Sequence, residues 1–175
     1  MKRASAREKG KGFERAVSSM VVRQFESYGI SKIDCYRTPN SGGHPYASKT
    51  DPADIQMSAK LQTLFPFSIE CKSGYKTDFN LRHFFNKEIK GIELAFLKQT
   101  VRSTEKAVGI AKTPMLVIKE DNFPPLVAVP ESCSRYWDLL QVPVMTFYYA
   151  DCQWRMLSFA EFLEFWDRVE CGASI

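Results

Sequence analysis

The chain has few of the residues that build imidazole metal sites, thiolate metal sites and disulfide frameworks. Its 175 residues include only two histidines, His44 and His83, and five cysteines. The cysteines are odd in number, widely spaced and never arranged as C-x-x-C, which argues against both a disulfide framework and a zinc site. We therefore expect reduced thiols, and any catalytic metal ion would have to be bound by oxygen ligands.

Long apolar runs are also absent from the sequence. No run approaches the roughly 20 residues that span a bilayer, and no apolar region of a secretory signal follows the charged start MKRASAREKGKGF. These absences predict an intracellular protein. The length and a hydrophobic content of 45% predict a single domain over residues 1–175.

Charge is distributed unevenly along the chain. Residues 12–119 carry sixteen basic and ten acidic side chains, whereas residues 120–175 carry three basic and nine acidic ones. Residues 1–11, called the basic arm below, carry five basic side chains and one acidic side chain. A basic surface of this kind favours contact with a polyanion such as nucleic acid, and an ordinary solvated surface is the alternative. The candidate contacts in the arm are Lys2, Arg3, Arg7, Lys9 and Lys11.

The hydrophobic periodicity predicts a mixed α/β domain with a central sheet flanked by helices. Helices are predicted at 12–28, at 93–107 and after Ser158, which forms a capping-box pattern with Glu161. Strands are predicted at 32–38, 54–58, 66–73, 115–119 and 126–129, and on both sides of Asp151 and Cys152 as a late hairpin. A second hairpin is predicted to join 54–58 to 66–73, and residues 39–52 are predicted to form a long exposed loop.

The segment FPFSIECKSG, residues 65–74, places an acid and a base on one face of a strand. Successive strand residues point to opposite faces, so Phe67, Ile69 and Cys71 are expected in the core while Glu70 and Lys72 emerge side by side. An E-x-K pattern is a weak signal alone, because this composition gives about one by chance.

A second E-x-K pattern occurs at Glu88 and Lys90. It lies beside a helical pattern, where residues i and i+2 do not share a face. We therefore favour the first pattern as the functional one.

An additional carboxylate gives the first pattern a chemical meaning. If strands 54–58 and 66–73 are neighbours, Asp54 and Glu70 converge at one edge of the sheet. Two carboxylates, the backbone carbonyl of Cys71 and water would suit Mg²⁺, with Mn²⁺ able to substitute. Lys72 would orient or deprotonate the attacking water, and Glu14, on the first helix, would complete the acidic cluster. The alternative is an exposed ion pair of little energetic value beside unrelated carboxylates.

The stretches KGFERAV, DPADI and FSIECKS together resemble the PD-(D/E)XK nuclease superfamily, and within it the Holliday-junction resolvases of archaea and phages. The resemblance covers about residues 9–75. It implies a restriction-endonuclease-like core and a Mg²⁺-dependent endodeoxyribonuclease with Glu14, Asp54, Glu70 and Lys72 in the metal-binding and catalytic roles. It also implies a symmetric homodimer that nicks opposed strands of a four-way junction, encoded by a cell or by a phage.

The sequence departs from the superfamily pattern just before the aspartate. Pro52 is separated from Asp54 by Ala53, which leaves Asp51 as a less favoured alternative ligand. The loop that precedes it, with Arg37 just before, is predicted to approach the DNA backbone through Ser41, Gly42 and Gly43, and an ordinary flexible loop is the alternative.

Three further features have structural interpretations that we favour. Gln99 lies where some relatives place a helical residue facing the site, but an exposed polar side chain is the simpler interpretation. His44 is expected to have no role, and contact with a phosphate is the alternative. The aromatic C-terminal part is more typical of a core or a dimer interface than of base stacking. Two other functions remain open, namely a sequence-specific restriction or repair endonuclease and a non-catalytic DNA-binding protein.

Overall fold

The computed structural model describes residues 6–38, 53–73, 80, 83–84, 89–106, 113–120 and 123–172. The loop predicted at 39–52 falls almost entirely outside these ranges, as does Glu88 of the second E-x-K pattern. No helix within the described ranges is both long and apolar enough to cross a membrane.

The described residues form four α-helices and seven strands. The helices are α1 (Ala6–Gln24), α2 (Ala59–Leu64), α3 (Gly91–Glu105) and α4 (Phe159–Trp166), the last continued by a π-helical turn, Asp167–Cys171. The strands are β1 (Cys35–Arg37), β2 (Ile55–Met57), β3 (Phe67–Ser73), β4 (Thr113–Lys119), β5 (Leu126–Pro130), β6 (Met145–Tyr149) and β7 (Cys152–Ser158). The predicted α/β class is confirmed.

Five of the strands form one mixed sheet in the order β3-β4-β5-β7-β6. β3 runs parallel to β4 with α3 as the crossover between them, and the other neighbours are antiparallel. β1 and β2 form a separate antiparallel ribbon. The Asp54 N–H donates to the Ile69 carbonyl at 3.1 Å, so this ribbon lies against the outer edge of β3.

The sheet has a hydrophobic core on each face. On one face α1 and α4 pack over the side chains of Phe67, Ile69 and Cys71, as the alternation predicts. On the other face α3 packs over Leu116 and Ile118 of β4. Glu70 and Lys72 are the register partners of these two residues, so they lie on the α3 side.

The expectation that Glu70 and Lys72 emerge on an open face is wrong. Glu70 is 2% exposed and Lys72 is 9% exposed, because α3 crosses over this face of β3. The pair is therefore buried beneath a helix, where charges interact more strongly than in water.

The predicted hairpin between β2 and β3 is also wrong, because the short helix α2 joins them. The Ser58 hydroxyl accepts a hydrogen bond from the Leu61 N–H at 3.3 Å and so caps the first turn of α2. The late hairpin is confirmed, and its turn residues Ala150 and Asp151 have positive φ angles of 51° and 59°, as a two-residue turn between twisted strands requires.

The start of α1 and the capping of α4 differ from the predictions. α1 begins at Ala6, so residues 6–11 of the basic arm are helical despite Gly10 and Gly12. The helix after Ser158 is confirmed, although the Ser158 side chain makes no capping hydrogen bond.

The aromatic C-terminal part builds the core, as predicted. Phe147 and Trp154 are buried on the α3 side, and the α4 aromatics on the other. Tyr148 is the exception at 71% exposure. All five cysteines are free thiols, as predicted.

Candidate active site

Asp54 is held at the β3 edge by its backbone and by its side chain. The Asp54 N–H donates to the Ile69 carbonyl at 3.1 Å, and the carboxylate Oδ2 accepts from the Cys71 N–H at 2.9 Å. On the other side, Thr38 donates its N–H to the Asp54 carbonyl at 2.8 Å and its hydroxyl to the Ala53 carbonyl at 2.7 Å. The position of the Asp54 carboxylate is therefore fixed from both neighbouring strands.

Glu70 is held from above by α3. The Gln99 side-chain amide donates to Glu70 Oε1, and the Ser103 hydroxyl donates to Glu70 Oε2 at 3.3 Å. Residues four apart on a helix share a face, so one stripe of α3 contacts both carboxylate oxygens. Gln99 is exposed, as predicted, but its amide faces the site and contacts Glu70.

Lys72 completes a compact group of three charged side chains, Asp54, Glu70 and Lys72, called the charged triad below. The Lys72 Nζ donates to Glu70 Oε1 at 2.6 Å and lies 5.8 Å from the centre of the Phe96 ring. The ammonium is thus positioned beside the carboxylates by a short side-chain ion pair and by the aromatic face of a residue on α3.

The two carboxylates repel each other. Burial and the nearby negative charge of Glu70 raise the pKa of Asp54 from 3.8 to about 7, against the opposing effects of the Cys71 N–H and Lys72. The two carboxyl groups are also close enough to share a hydrogen bond. One ammonium therefore does not balance two carboxylates at this edge, and the triad favours an added cation or proton.

The ligands available at the edge fit a hard divalent cation. The N–H and C=O of one strand residue point to the same side in the plane of the sheet. The Cys71 N–H donates a hydrogen bond to Asp54, so the Cys71 carbonyl faces the same edge of the sheet. Two carboxylates and one carbonyl leave several positions to water, which suits Mg²⁺. Within the described ranges, no cluster of three or more His, Cys, Asp or Glu side chains could hold a metal ion.

Glu14 and Arg37 pair with each other. Arg37, at the end of β1, donates its Nε–H to the carboxylate of Glu14 on α1, and both side chains are largely buried. Glu14 lies near enough to Cys71 to help raise the pKa of that thiol, after burial and Asp54. The structure thus places Glu14 beside the triad but holds it in an ion pair with Arg37, and the predicted roles of both residues stay predictions.

The remaining predicted DNA contacts are mostly outside the described residues. Lys9 is exposed on α1, and Lys11 pairs with Glu8 at 2.9 Å. The residues outside the described ranges are Lys2, Arg3, Ser41, Gly42, Gly43, His44 and the alternative ligand Asp51, and the Arg7 side chain is outside the description too.

Two residues of the site were not predicted from the sequence. Thr38 donates hydrogen bonds to the backbone carbonyls of Ala53 and Asp54, and backbone acceptors leave no signal in the sequence. Ser103 could have been found from its spacing of four residues from Gln99 on a predicted helix, since the two share a face.

Comparison with known proteins gives one finding for this chain. A family model described as phage putative PDDEXK endonuclease matches residues 5–170, which include every residue of the charged triad. The chain has no significant match among the curated proteins or among the solved structures.

Proposed function

The chain belongs to the phage putative PDDEXK endonuclease family, and on that premise we propose that it hydrolyses phosphodiester bonds in branched DNA with a divalent metal ion. Four-way junctions are the proposed substrate. The observation that carries the proposal is the charged triad, in which two carboxylates and one ammonium meet at the β3 edge of the sheet, beneath α3. Groups with such perturbed ionisation are typical of catalytic sites.

The proposed cofactor is Mg²⁺, with Mn²⁺ as a substitute. Asp54, Glu70 and the Cys71 carbonyl would hold it, and Glu14 is a proposed additional acid. A bound cation of this kind would lower the pKa of a water molecule and stabilise negative charge on the phosphate.

The chain's own side chains have distinct proposed roles. Lys72 places a positive charge beside the reacting phosphate, where it offsets the negative charge that develops in the transition state and orients the attacking water. Gln99 and Ser103 fix the Glu70 carboxylate, and Thr38 fixes the backbone of Asp54. These hydrogen bonds hold the two carboxylates close together in spite of their repulsion.

DNA contact is proposed through the basic arm, Arg37 and the segment with Ser41, Gly42 and Gly43. Such contacts with phosphates position the enzyme without reading sequence. A symmetric homodimer would place two sites on opposed strands of a junction. Support for the junction and for the dimer comes from the resemblance to resolvases.

The test is cleavage of a labelled four-way junction alongside a linear duplex of the same arm sequence, with Mg²⁺ or with EDTA. Symmetric nicks in the junction alone, abolished by EDTA, are the expected result. Equal cutting of both substrates would replace the resolvase with a general or sequence-reading nuclease. Binding of both substrates without any cutting would favour a non-catalytic DNA-binding protein.

A further inference from the structure

The outer surface of α3 carries a line of three cations. Lys98, Arg102 and Lys106 follow one another at four-residue spacing, and all three are exposed. In the part of the chain that the structure describes, none of the three forms an ion pair. At 1.5 Å per residue they lie about 6 Å apart along the axis and span about 12 Å.

These cations line a groove that shares two residues with the contacts of the charged triad. The groove has a volume of about 540 Å³, and its lining consists of Ala95, Lys98, Gln99, Arg102, Ser103 and Lys106. Gln99 and Ser103 are the two residues that donate hydrogen bonds to Glu70. Gln99 and Ser103 therefore contact the triad and also line the groove.

The acidic side chains of α3 do not line the groove. Glu93, near the start of α3, is 1% exposed and accepts hydrogen bonds from the Asn80 N–H at 2.9 Å and from His83 Nδ1 at 3.1 Å. Glu105 does not line the groove. Burial raises the pKa of Tyr149 on β6, Arg102 lowers it and Glu105 raises it, so both charged side chains lie near Tyr149. Among the described residues, the lining of the groove is basic or neutral throughout.

We propose that this α3 groove binds the sugar–phosphate backbone of the DNA strand that continues beyond the cleaved phosphate. A strand advances by about 3.4 Å per nucleotide along the duplex axis, so the 12 Å line of cations matches about three to four nucleotides. Neighbouring cations are about 6 Å apart, so each meets about every second phosphate. The groove sets which phosphate of the strand reaches the triad. This inference rests on the proposed function and assigns its substrate to a defined surface.

The salt dependence of DNA binding tests the groove. Binding of a labelled duplex is measured in EDTA, where cutting is prevented, between 50 and 200 mM salt, for the parent protein and for K98A, R102A, K106A and the triple variant. Each lost phosphate contact should reduce the slope of log affinity against log salt by about 0.9, a three- to fourfold change over this range. The triple variant should lose about 2.7 in slope.

Two matched controls separate the groove from general charge effects. Arg168 is an exposed arginine on the π-helical turn, on the opposite face of the sheet, so R168A removes one charge far from the groove. R102K keeps the charge at the groove and should keep the slope. Circular dichroism of each variant verifies that the fold is retained.

The outcomes distinguish this inference from the proposed function. Two results would overturn the groove proposal alone. In the first, the parent protein cuts DNA but has the same salt slope as the triple variant. In the second, the slope of R168A falls as much as that of R102A. Competition by polyglutamate as strong as by DNA would identify an acidic protein segment as the occupant and would also overturn it. A parent protein that neither binds nor cuts DNA would overturn both proposals.

Discussion

Two carboxylate sites in this protein show different ways of holding partly buried acids. Asp167, after α4, accepts one hydrogen bond from the Gln24 side-chain amide and one from the Tyr28 hydroxyl, each at 2.7 Å and on a separate oxygen. The hydrogen bond to Asp167, with burial, raises the pKa of Tyr28 to about 12. Neutral donors satisfy this single acid, and the contact ties α1 to the C-terminal helix.

The two carboxylates of the charged triad are not satisfied in this way. Asp54 and Glu70 lie close to each other with one ammonium paired to Glu70, and burial together with the charge of Glu70 raises the pKa of Asp54 to about 7. Buried groups of like charge reduce stability unless a cation joins them. The contrast indicates that Asp167 serves the fold, whereas Asp54 and Glu70 retain an electrostatic cost that a bound metal ion would relieve.

The largest expected difference between the two sites is in catalysis. D54N should reduce the single-turnover rate of DNA cleavage by about 10²–10³-fold, because a neutral amide cannot balance the charge of a cation in the transition state. D167N makes the same chemical change at the structural site and should cut at the parental rate. Equal rates for parent and D54N would show that Asp54 is not part of the catalytic machinery.

A smaller loss is expected when the support of Asp54 is removed. T38V deletes the hydroxyl that donates to the Ala53 carbonyl and should slow cleavage by about 10- to 100-fold, because displacing a catalytic group by about 1 Å is enough for such an effect. T38S keeps the hydroxyl and should restore most of the rate. If T38V and T38S cut equally fast, the hydrogen bond does not position the site.

Metal affinity should depend on pH through Asp54. Because its pKa is about 7 before a cation binds, the ion must displace a proton below that pH. The Mg²⁺ affinity should therefore fall by about tenfold from pH 8 to pH 6 and stay nearly level above pH 8, as measured by calorimetry. D167N should show the same profile. A flat profile between pH 6 and pH 8 would contradict the raised pKa.

The smallest expected effects are on stability, and they have opposite signs at the two sites. The folded pKa of Asp54 lies above the ordinary value of 3.8, so its contribution to stability is present below about pH 4 and is lost as the pH rises through 7. At pH 8 without metal, D54N should therefore melt higher than the parent. D167N should melt a few degrees lower, because Gln24 and Tyr28 lose a charged acceptor.

Thermal melts at pH 5 and pH 8 would verify these signs. The advantage of D54N should shrink at pH 5, where Asp54 of the folded parent is protonated. A D54N variant that is less stable than the parent at pH 8 would show that the triad is satisfied without a cation.

Much of the site could be predicted from the sequence because it depends on strand geometry. The alternation in β3 places Ile69 in one core and Glu70 on the other side, and the position of Asp54 before β2 brings it to the same edge. These are consequences of local periodicity, which the order of residues records directly.

The rest depends on tertiary arrangement, which local patterns do not record. Whether the face with Glu70 is open or covered depends on where the crossover helix α3 packs, so the burial of Glu70 and the contact with Gln99 could not be derived from the strand alone. The pairing of Glu14 with Arg37 joins residues of α1 and β1 that have no common pattern. The helix α2 is different, because Ser58 before several good helix formers was a readable start signal.

The most direct test of the central claim is single-turnover cleavage of DNA by the parent and by E70Q, with Mg²⁺ and with EDTA. E131Q, which alters a glutamate that pairs with Arg155 at another site, is the matched control. We expect cutting by the parent and by E131Q only with Mg²⁺, and a loss of about 10²–10³-fold in E70Q with DNA binding retained. Cleavage by E70Q at the parental rate would contradict the assignment of the charged triad as the catalytic site.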